Sequence, residues 1–391
     1  MSPPDQAGTF DLAVVGSGSA GLAAAVCGAR RGLRTLLLES RSSPGGLGGH
    51  SGLTTLCGLH DENGAPLNEG FPTEFARRLA EGPALRTGRV WVLPYRPSRF
   101  RALAAELLAS LPTLRCRWDT PLTQVRRERD RITGLNQDRV EAVIDASGFA
   151  EVARLAGVDC LATDERTQSP AIVAALAGIT APLDTAAAAA RVMLPLARAG
   201  FPPLYFHPGL DPGLVTVKFT GRPDQLPGLL EFLRSHIDGF QHCRLLPGTG
   251  EESAGESPAG TAGLHPVPRA GRMIPGRHLL TGSEVLAGGK FPDAVARCAW
   301  PVEQWGPDGR SRVRYLAPGT HYEIPARSLQ CREVANLFMA GKTISADEEA
   351  IASARVMGCC LATGAAAGNL AADWLASPRA SASDPARPGG S

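Results

Sequence analysis

The 391-residue chain has little net charge, few lysines and no paired-cysteine signature. A formal net charge of +2 leaves no electrostatic footprint for nucleic acid or an anionic membrane surface. Of 40 basic residues only Lys218, Lys290 and Lys342 are lysine, a bias of codon usage rather than a binding signal. The 9 cysteines are odd in number and scattered; none forms a C-x-x-C pair, and Cys359 and Cys360 are adjacent. That pattern argues against a disulfide framework, a zinc site, a dithiol redox motif and an iron–sulfur centre. No apolar run is long enough to span a bilayer without interruption. Ala350 to Leu375 comes closest and is broken by Arg355, Asn369 and Asp373. The polar stretch from Met1 to Gly8 lacks the apolar core of a signal peptide. A reduced, cytoplasmic setting is therefore expected, with no metal, nucleic-acid or membrane partner. The remaining composition, 43% hydrophobic and 20% charged, is that of a globular protein long enough for two domains.

What the chain does have is Gly16-Ser17-Gly18-Ser19-Ala20-Gly21. Alone, such a string is a weak signal, but here the context supports it. An apolar run from Phe10 to Val15 reads as a strand before it, and a small-residue helix, roughly Leu22 to Arg31, follows. A second apolar run, Thr35 to Leu38, ends in Glu39, eighteen residues past Gly21. Together these predict a dinucleotide-binding βαβ unit. Gly16 permits the tight turn, Gly18 lets backbone approach a pyrophosphate, and Gly21 with Ala25 lets the helix pack on the strand. The helix N-terminus offers free N–H groups and a positive dipole end to phosphate. Glu39 can accept hydrogen bonds from a ribose diol. The competing reading is a glycine-rich turn in an ordinary α/β domain. No second G-x-G-x-x-G occurs, so a dedicated NAD(P)H domain is not expected.

Further along, Gly45-Gly46-Leu47-Gly48-Gly49 cannot make a stable helix and suggests backbone passing close to a ligand. Two helical patterns between Arg77 and Leu111 flank a strand-like Trp91 to Tyr95. Leu122 to Arg127 and Ile132 to Leu135 read as a hairpin, and Val140 to Asp145 as a buried strand ending in Asp145-Ala146-Ser147-Gly148. From Thr163 the composition shifts toward proline and hairpin-like runs, and Pro247 to Gly263 reads as a mobile loop. Asn336 to Ala340 is again strand-like, and Ala350 to Leu375 reads as one long helix of small residues. The predicted fold is α/β. Residues 9–80, 112–162 and 331–376 form a Rossmann-like domain, a parallel sheet with helices plus a small antiparallel hairpin. Residues 81–111 are a helical insertion, 163–330 an inserted mixed α+β substrate domain, and 377–391 a disordered tail.

Three features select FAD over NAD. The βαβ unit opens the chain and a second glycine cluster follows at once, as an extended FAD requires. Val143 to Gly148 is similar to the segment that closes over the adenine side in flavoproteins. The last strand and helix carry a glycine, Gly341, at their junction, where a helix dipole can stabilise negative charge on a reduced flavin.

On these motifs the chain resembles the glutathione-reductase-type FAD superfamily. Within it the chain is most similar to the FAD-dependent oxidoreductase group distantly related to fumarate reductase and glucose-inhibited-division-type flavoproteins. The most specific stretches are Tyr322-Glu323-Ile324-Pro325, Asn336 to Gly341 and Ser353 to Met357. The resemblance implies that Gly16, Gly18 and Gly21 hold the pyrophosphate, with Ser17, Ser19 and Ala20 nearby. It implies that Glu39, with Ser40 and Arg41, binds the adenosine ribose, and that Gly45 and Gly46 pass the ribityl region. Val125 would meet the adenine, with Ala146, Ser147 and Gly148 closing over that side. Gly341 would lie beside the ribityl chain, and Arg355, Val356 and Met357 near the ring. Where the family often has Thr and His after Ser345, this chain has Asp347-Glu348. Those acids either form a capping box with Ser345 or raise the energy of an anionic reduced ring; the cap is preferred.

The chemistry is less legible. In fumarate-reductase relatives a histidine carries the flavin covalently, but His50 sits in a different setting, so non-covalent FAD is expected. Cys57 reads as packing. Arg272 could hold a substrate carboxylate or be a surface arginine. Glu303, among aromatics, could serve as acid or base if burial raises its pKa, or be a rim carboxylate. His321 and Tyr322, near the return to the FAD domain, are proton-transfer candidates. Three activities stay open. One is hydride transfer between FAD N5 and a small, possibly anionic organic substrate, with the electron donor or acceptor unknown. The others are a flavin monooxygenase of a biosynthetic pathway and an RNA-modifying or non-catalytic FAD protein, the last disfavoured by the near-neutral charge.

Overall fold

A computed structural model of the protein describes residues 7–377 other than 165, 167, 182, 184–185, 209, 222 and 247–265. A seven-stranded sheet organises it. Leu114–Arg117, Thr35–Leu38, Thr9–Val15 and Asp138–Asp145 lie side by side in that order, all parallel. Leu337–Met339 pairs in parallel with the end of Asp138–Asp145, and the hairpin Val125–Glu128/Arg131–Leu135 pairs antiparallel with its start. The strands are unbroken apolar runs because both faces are covered: Leu12, Val14, Leu37 and Ile144 face one core, Ala13, Leu36 and Val143 the other. Val15 pairs with both Leu38 and Asp145. The loops that follow, starting at Gly16, Glu39 and Ala146, therefore leave the sheet at one edge.

On one face lies the helix Ser19–Arg30, with Ser19 through Ala29 all buried. The helix Met357–Ala376 packs across it. A Cβ on Gly364 would overlap the Ala20 carbonyl, and one on Gly368 would come within 2.6 Å of the Ala24 carbonyl oxygen. The small residues of both helices thus set a backbone-to-backbone approach. The single long helix expected over Ala350 to Leu375 is instead two helices, Glu348–Ala354 and Met357–Ala376, bent by 97° at Arg355-Val356. Among the described residues no single helix is long and apolar enough to cross a membrane.

The segment 81–111, expected as a helical insertion although Trp91 to Tyr95 read as strand-like, supplies the strands Leu85–Thr87 and Val90–Pro94 as well as the helix Pro97–Ala109. Val90, Trp91 and Val92 favour an extended chain, and their strand pairs with Thr55–Cys57. A second antiparallel sheet places Val215–Phe219 between Leu204–Pro208 and Ala171–Ala177, with Arg244–Leu245 and Pro266–Val267 on the far side. Its inner residues, among them Ile172, Leu204, Val217 and Phe219, form a core with Leu229 and Leu233 of the helix Leu226–His236. Alternation then turns Tyr205, His207, Thr216 and Lys218 to the other face. On that side Ala171, Val173 and Val267 pack against Leu47 and Leu53 of the second glycine segment.

A disulfide joins Cys298, at the end of Ala294–Cys298, to Cys359 in the first turn of the last helix. No disulfide was expected, because the partners are 61 residues apart with no motif spacing. The loop at Pro247 to Gly263 and the tail after Ser377 lie outside the described residues.

Candidate active site

A cavity of about 510 Å³ runs along the edge where the parallel strands end. The glycine motif forms its floor, with Gly16, Ser17, Gly18, Ser19 and Ala20 lining it. Gly21 does not line it, since a Cβ there would overlap the Gly16 carbonyl; its role is to close the turn against the helix. By contrast, a Cβ on Gly18 would meet nothing nearer than Gly46 Cα, at 3.8 Å. Glu39, Ser40 and Arg41 line the next part. Glu39 is buried and accepts hydrogen bonds from Ser17 N (2.8 Å), Ser17 Oγ (2.6 Å) and Arg41 N (2.9 Å). Gly46 and Leu47 line the cavity, while Gly45 stands behind them, its N–H donating to the Ser17 carbonyl at 3.1 Å. Ala146, Ser147 and Gly148 form the opposite wall.

At the far end the wall is Gly341, Arg355 and Met357. Val356 is not part of it; a Cβ on Gly58 would run into its side chain. Val125 is also outside. It pairs with Leu135 and turns toward the core behind the sheet, and Thr120, Pro121 and Leu122 occupy the wall instead. Sequence reasoning also missed Phe149, Glu151, Pro268, Ala340, Lys342 and Cys360. The one available signal was adjacency, since Phe149, Ala340 and Lys342 flank recognised glycines.

The cavity meets the N-termini of two long helices, at Ser19 and at Met357. Neither helix has a side-chain cap: Gly18 and Val356 occupy the cap positions. Their first N–H groups and dipole ends are thus left for a ligand. Open space over Gly18, two uncapped helix ends and a buried carboxylate hydrogen-bonded to Ser17 suit FAD. Its phosphates would meet Gly16 to Ala20, its ribose Glu39, and its ring the Arg355–Met357 end.

Nor do His50 and Cys57 line the cavity. The His50 ring is buried with Nε2 3.1 Å from the Pro44 carbonyl, and burial lowers its pKa. Burial pushes the Cys57 thiol up to about 12. The acids after Ser345 are absorbed locally. Asp347, rather than Ser345, caps the helix Glu348–Ala354 by accepting from Ala350 N at 2.8 Å. Glu348 accepts from Asp164 N at 3.3 Å.

Arg355 and three further charged side chains meet behind the cavity wall. Arg355 Nη2 donates to the Glu303 carbonyl at 3.2 Å. Arg269 is stacked on the Trp305 ring, 3.9 Å from its centroid, and its Nη1 donates to the Ser169 carbonyl (2.5 Å) and Thr220 Oγ1 (3.3 Å). Lys218 lies 4.6 Å from the Trp305 centroid and 5.8 Å from that of Tyr205. Glu303 receives Trp300 Nε1 at 3.4 Å. Burial alone would raise the Glu303 carboxyl, but Lys218, Arg355 and Arg269 outweigh it and hold it below its usual range. The expectation of a raised pKa is thereby reversed. Burial lowers Lys218 and Arg355, pushes Arg269 down to about 9 and drops His207, facing Lys218, to about 4.

The remaining expected residues fall elsewhere. Arg272 is exposed, pairs through its strand with Ala162 and lies outside the cavity; the buried arginine is Arg269, three residues earlier. Tyr322 is fully buried in the core, its hydroxyl 2.8 Å from Ser353 Oγ, which itself donates to the Trp300 carbonyl. It braces the Arg355 helix rather than facing the cavity. His321 is half-buried beside Lys290 and Arg297, away from the cavity lining, and its carbonyl accepts from Lys290 Nζ.

The chain superposes on GidA from Aquifex aeolicus with a TM-score of 0.51 at 12% identity, over 94% of this chain and 63% of that one. A geranylgeranyl bacteriochlorophyll reductase-like protein from Thermoplasma acidophilum aligns with a TM-score of 0.49 at 15% identity, over 96% and 82% of the two chains. OxyS anhydrotetracycline hydroxylase from Streptomyces rimosus aligns at 0.45 and 15%, over 95% and 64%. At these identities the likeness concerns the fold alone. No curated protein sequence matches this chain. The model of the FAD dependent oxidoreductase family matches residues 11–200 and 206–381. The chain therefore belongs to that family, and is an enzyme whose cofactor is FAD.

Proposed function

We propose that the protein transfers a hydride between a small organic substrate and the flavin N5. Bound FAD supplies the two-electron chemistry. The observation that carries this reading is the charged wall behind Arg355, where Glu303, Lys218 and Arg269 gather about the one arginine of the group that itself lines the cavity. Such a wall suits a polar substrate. It does not suit the dry pocket that a flavin hydroperoxide needs. Loss of a hydride from a carbon bearing O–H or N–H also releases a proton. We assign that proton to Glu303, which its three cations hold ionised and which Arg355 ties to the cavity. Trp300 fixes that carboxylate from one side. Arg355, on the bend between two helices, connects the Glu303 backbone to the cavity.

Anaerobic stopped-flow mixing with small hydroxy and amino compounds tests the reading. Direct bleaching of the flavin band without NAD(P)H is expected. Rapid reduction by NAD(P)H alone, followed by an oxygenated intermediate on admitting air, would overturn it in favour of a monooxygenase.

A further inference from the structure

The charged wall holds more positive charge than it neutralises. Three cations, Lys218, Arg269 and Arg355, share the single carboxylate of Glu303. Arg269 is only 5% exposed, and its Nη2 has no hydrogen-bond partner among the described residues. Arg355 Nε has none either. Lys218 has two aromatic rings beside its ammonium, Tyr205 and Trp305. Buried cations that press on one another are costly unless an anion completes them, and apolar side chains of similar volume would pack at lower free energy.

The geometry also favours one kind of anion. Trp305 fixes the plane of the Arg269 guanidinium from its face, and Ser169 and Thr220 hold Nη1. The unused Nη2 donors lie in that plane, which is the arrangement a planar carboxylate accepts. Lys218 adds a point charge on the same Trp305 ring. Lys218 and Tyr205 are cross-strand partners on the sheet face turned away from its own helices.

We propose that Arg269 and Lys218 bind the carboxylate of a small organic acid, placing the rest of the molecule toward Arg355 and the cofactor cavity. This rests on the hydride-transfer reading only in taking that acid to be the substrate. Arg272, the arginine chosen from the sequence, is exposed and lies outside the cavity lining.

The test uses the FAD-loaded protein. Acetate, benzoate and glycolate, each beside its neutral amide, are titrated while the flavin absorbance spectrum is followed. Carboxylates should perturb the spectrum saturably and the amides should not. Arg269→Gln should weaken that binding about tenfold or more, as loss of a charge-assisted contact does. Lys218→Met serves as a second variant, and Arg272→Gln should bind like the parent. FAD content and circular dichroism establish that each variant is folded and loaded. No perturbation by any carboxylate, or equal perturbation in folded Arg269→Gln and Lys218→Met, overturns the proposal. Carboxylates that bind at this site when neither they nor any other organic compound reduces the flavin anaerobically would leave the anion site standing and sink hydride transfer. A neutral compound that reduces the flavin, with no carboxylate binding, would do the reverse.

Discussion

At the scale of single residues, the second and third glycines of the motif do different things. Gly18 faces open space, so the protein itself can accommodate a side chain there. Gly21 cannot, because its Cβ would overlap the Gly16 carbonyl. Gly18→Val should therefore fold normally and lose FAD, whereas Gly21→Val should fail to fold stably. Circular dichroism and flavin content after purification check both; a folded Gly18→Val protein with full FAD would refute the placement. Lys342 is a different case. Its Nζ donates to the Pro268 carbonyl at 3.3 Å and lies 4.6 Å from the Phe149 centroid. Burial, then Arg355, pushes it down to about 8 from an ordinary 10.5. A lowered lysine disfavours the folded cofactor-free protein fully below pH 8. That penalty fades as pH rises toward 10.5, where the unfolded chain also loses its proton. An anionic cofactor against Nζ reverses the shift, so FAD affinity should fall as pH climbs past about 8. Lys342→Met should abolish that pH dependence and stabilise the cofactor-free protein at pH 7 by on the order of 2 kcal/mol. Fluorescence titrations of FAD at pH 7 and 9 on parent and variant decide it.

At the scale of elements, the bend between Glu348–Ala354 and Met357–Ala376 matters most. It puts Arg355 in the cavity wall and leaves the next helix uncapped against the ligand. Composition could not reveal it, since residues 350–375 are mostly small and apolar, a lone Arg355 does not end a helix, and Val356 merely adopts an extended backbone. Tertiary contacts decide the break, through Arg355 to the Glu303 carbonyl and Ser353 to the Trp300 carbonyl. Asp347 fixes where the first helix begins. Its carboxylate accepts from Ala350 N and, at 2.9 and 3.0 Å, from Gly282 N at the start of a neighbouring helix. Asp347→Ala strips a partner from two helix starts and should cost about 1–2 kcal/mol of stability. Asp347→Asn keeps an acceptor and should recover most of it. Denaturant unfolding of the three proteins gives the comparison, and an unchanged Asp347→Ala midpoint would show that the cap carries no load.

At the scale of the whole molecule, the cofactor half was legible and the substrate half was not. The glycine motif, Glu39 and Asp145 to Gly148 signal through local geometry that few other residues satisfy, so their positions could be read from spacing. The charged wall assembles Lys218, Arg269, Glu303 and Arg355 from four separate segments, and no spacing rule links them. For the same reason Val125 was placed one loop too late, and the Cys298–Cys359 disulfide was not anticipated. The cavity joins these parts. It touches the first helix, the second glycine segment, Pro268 beside the second sheet and the last helix, so FAD bound there would contact all four. Ligand that binds only the folded state stabilises it by mass action, by about 2.7 kcal/mol at a hundredfold excess over Kd. The purified protein should be yellow, and stripping FAD should lower its melting temperature, with recovery on adding FAD back. His50 and Cys57 lie outside the cavity lining, and burial holds the Cys360 thiol, which does line it, up at about 12, protonated and unreactive. None of these three side chains is thus poised for covalent attachment, and acid precipitation should release all of the flavin into the supernatant. Colour retained in the pellet would mean that His50, Cys57 or Cys360 reaches the ring, and the path of the cofactor drawn here would have to be redrawn.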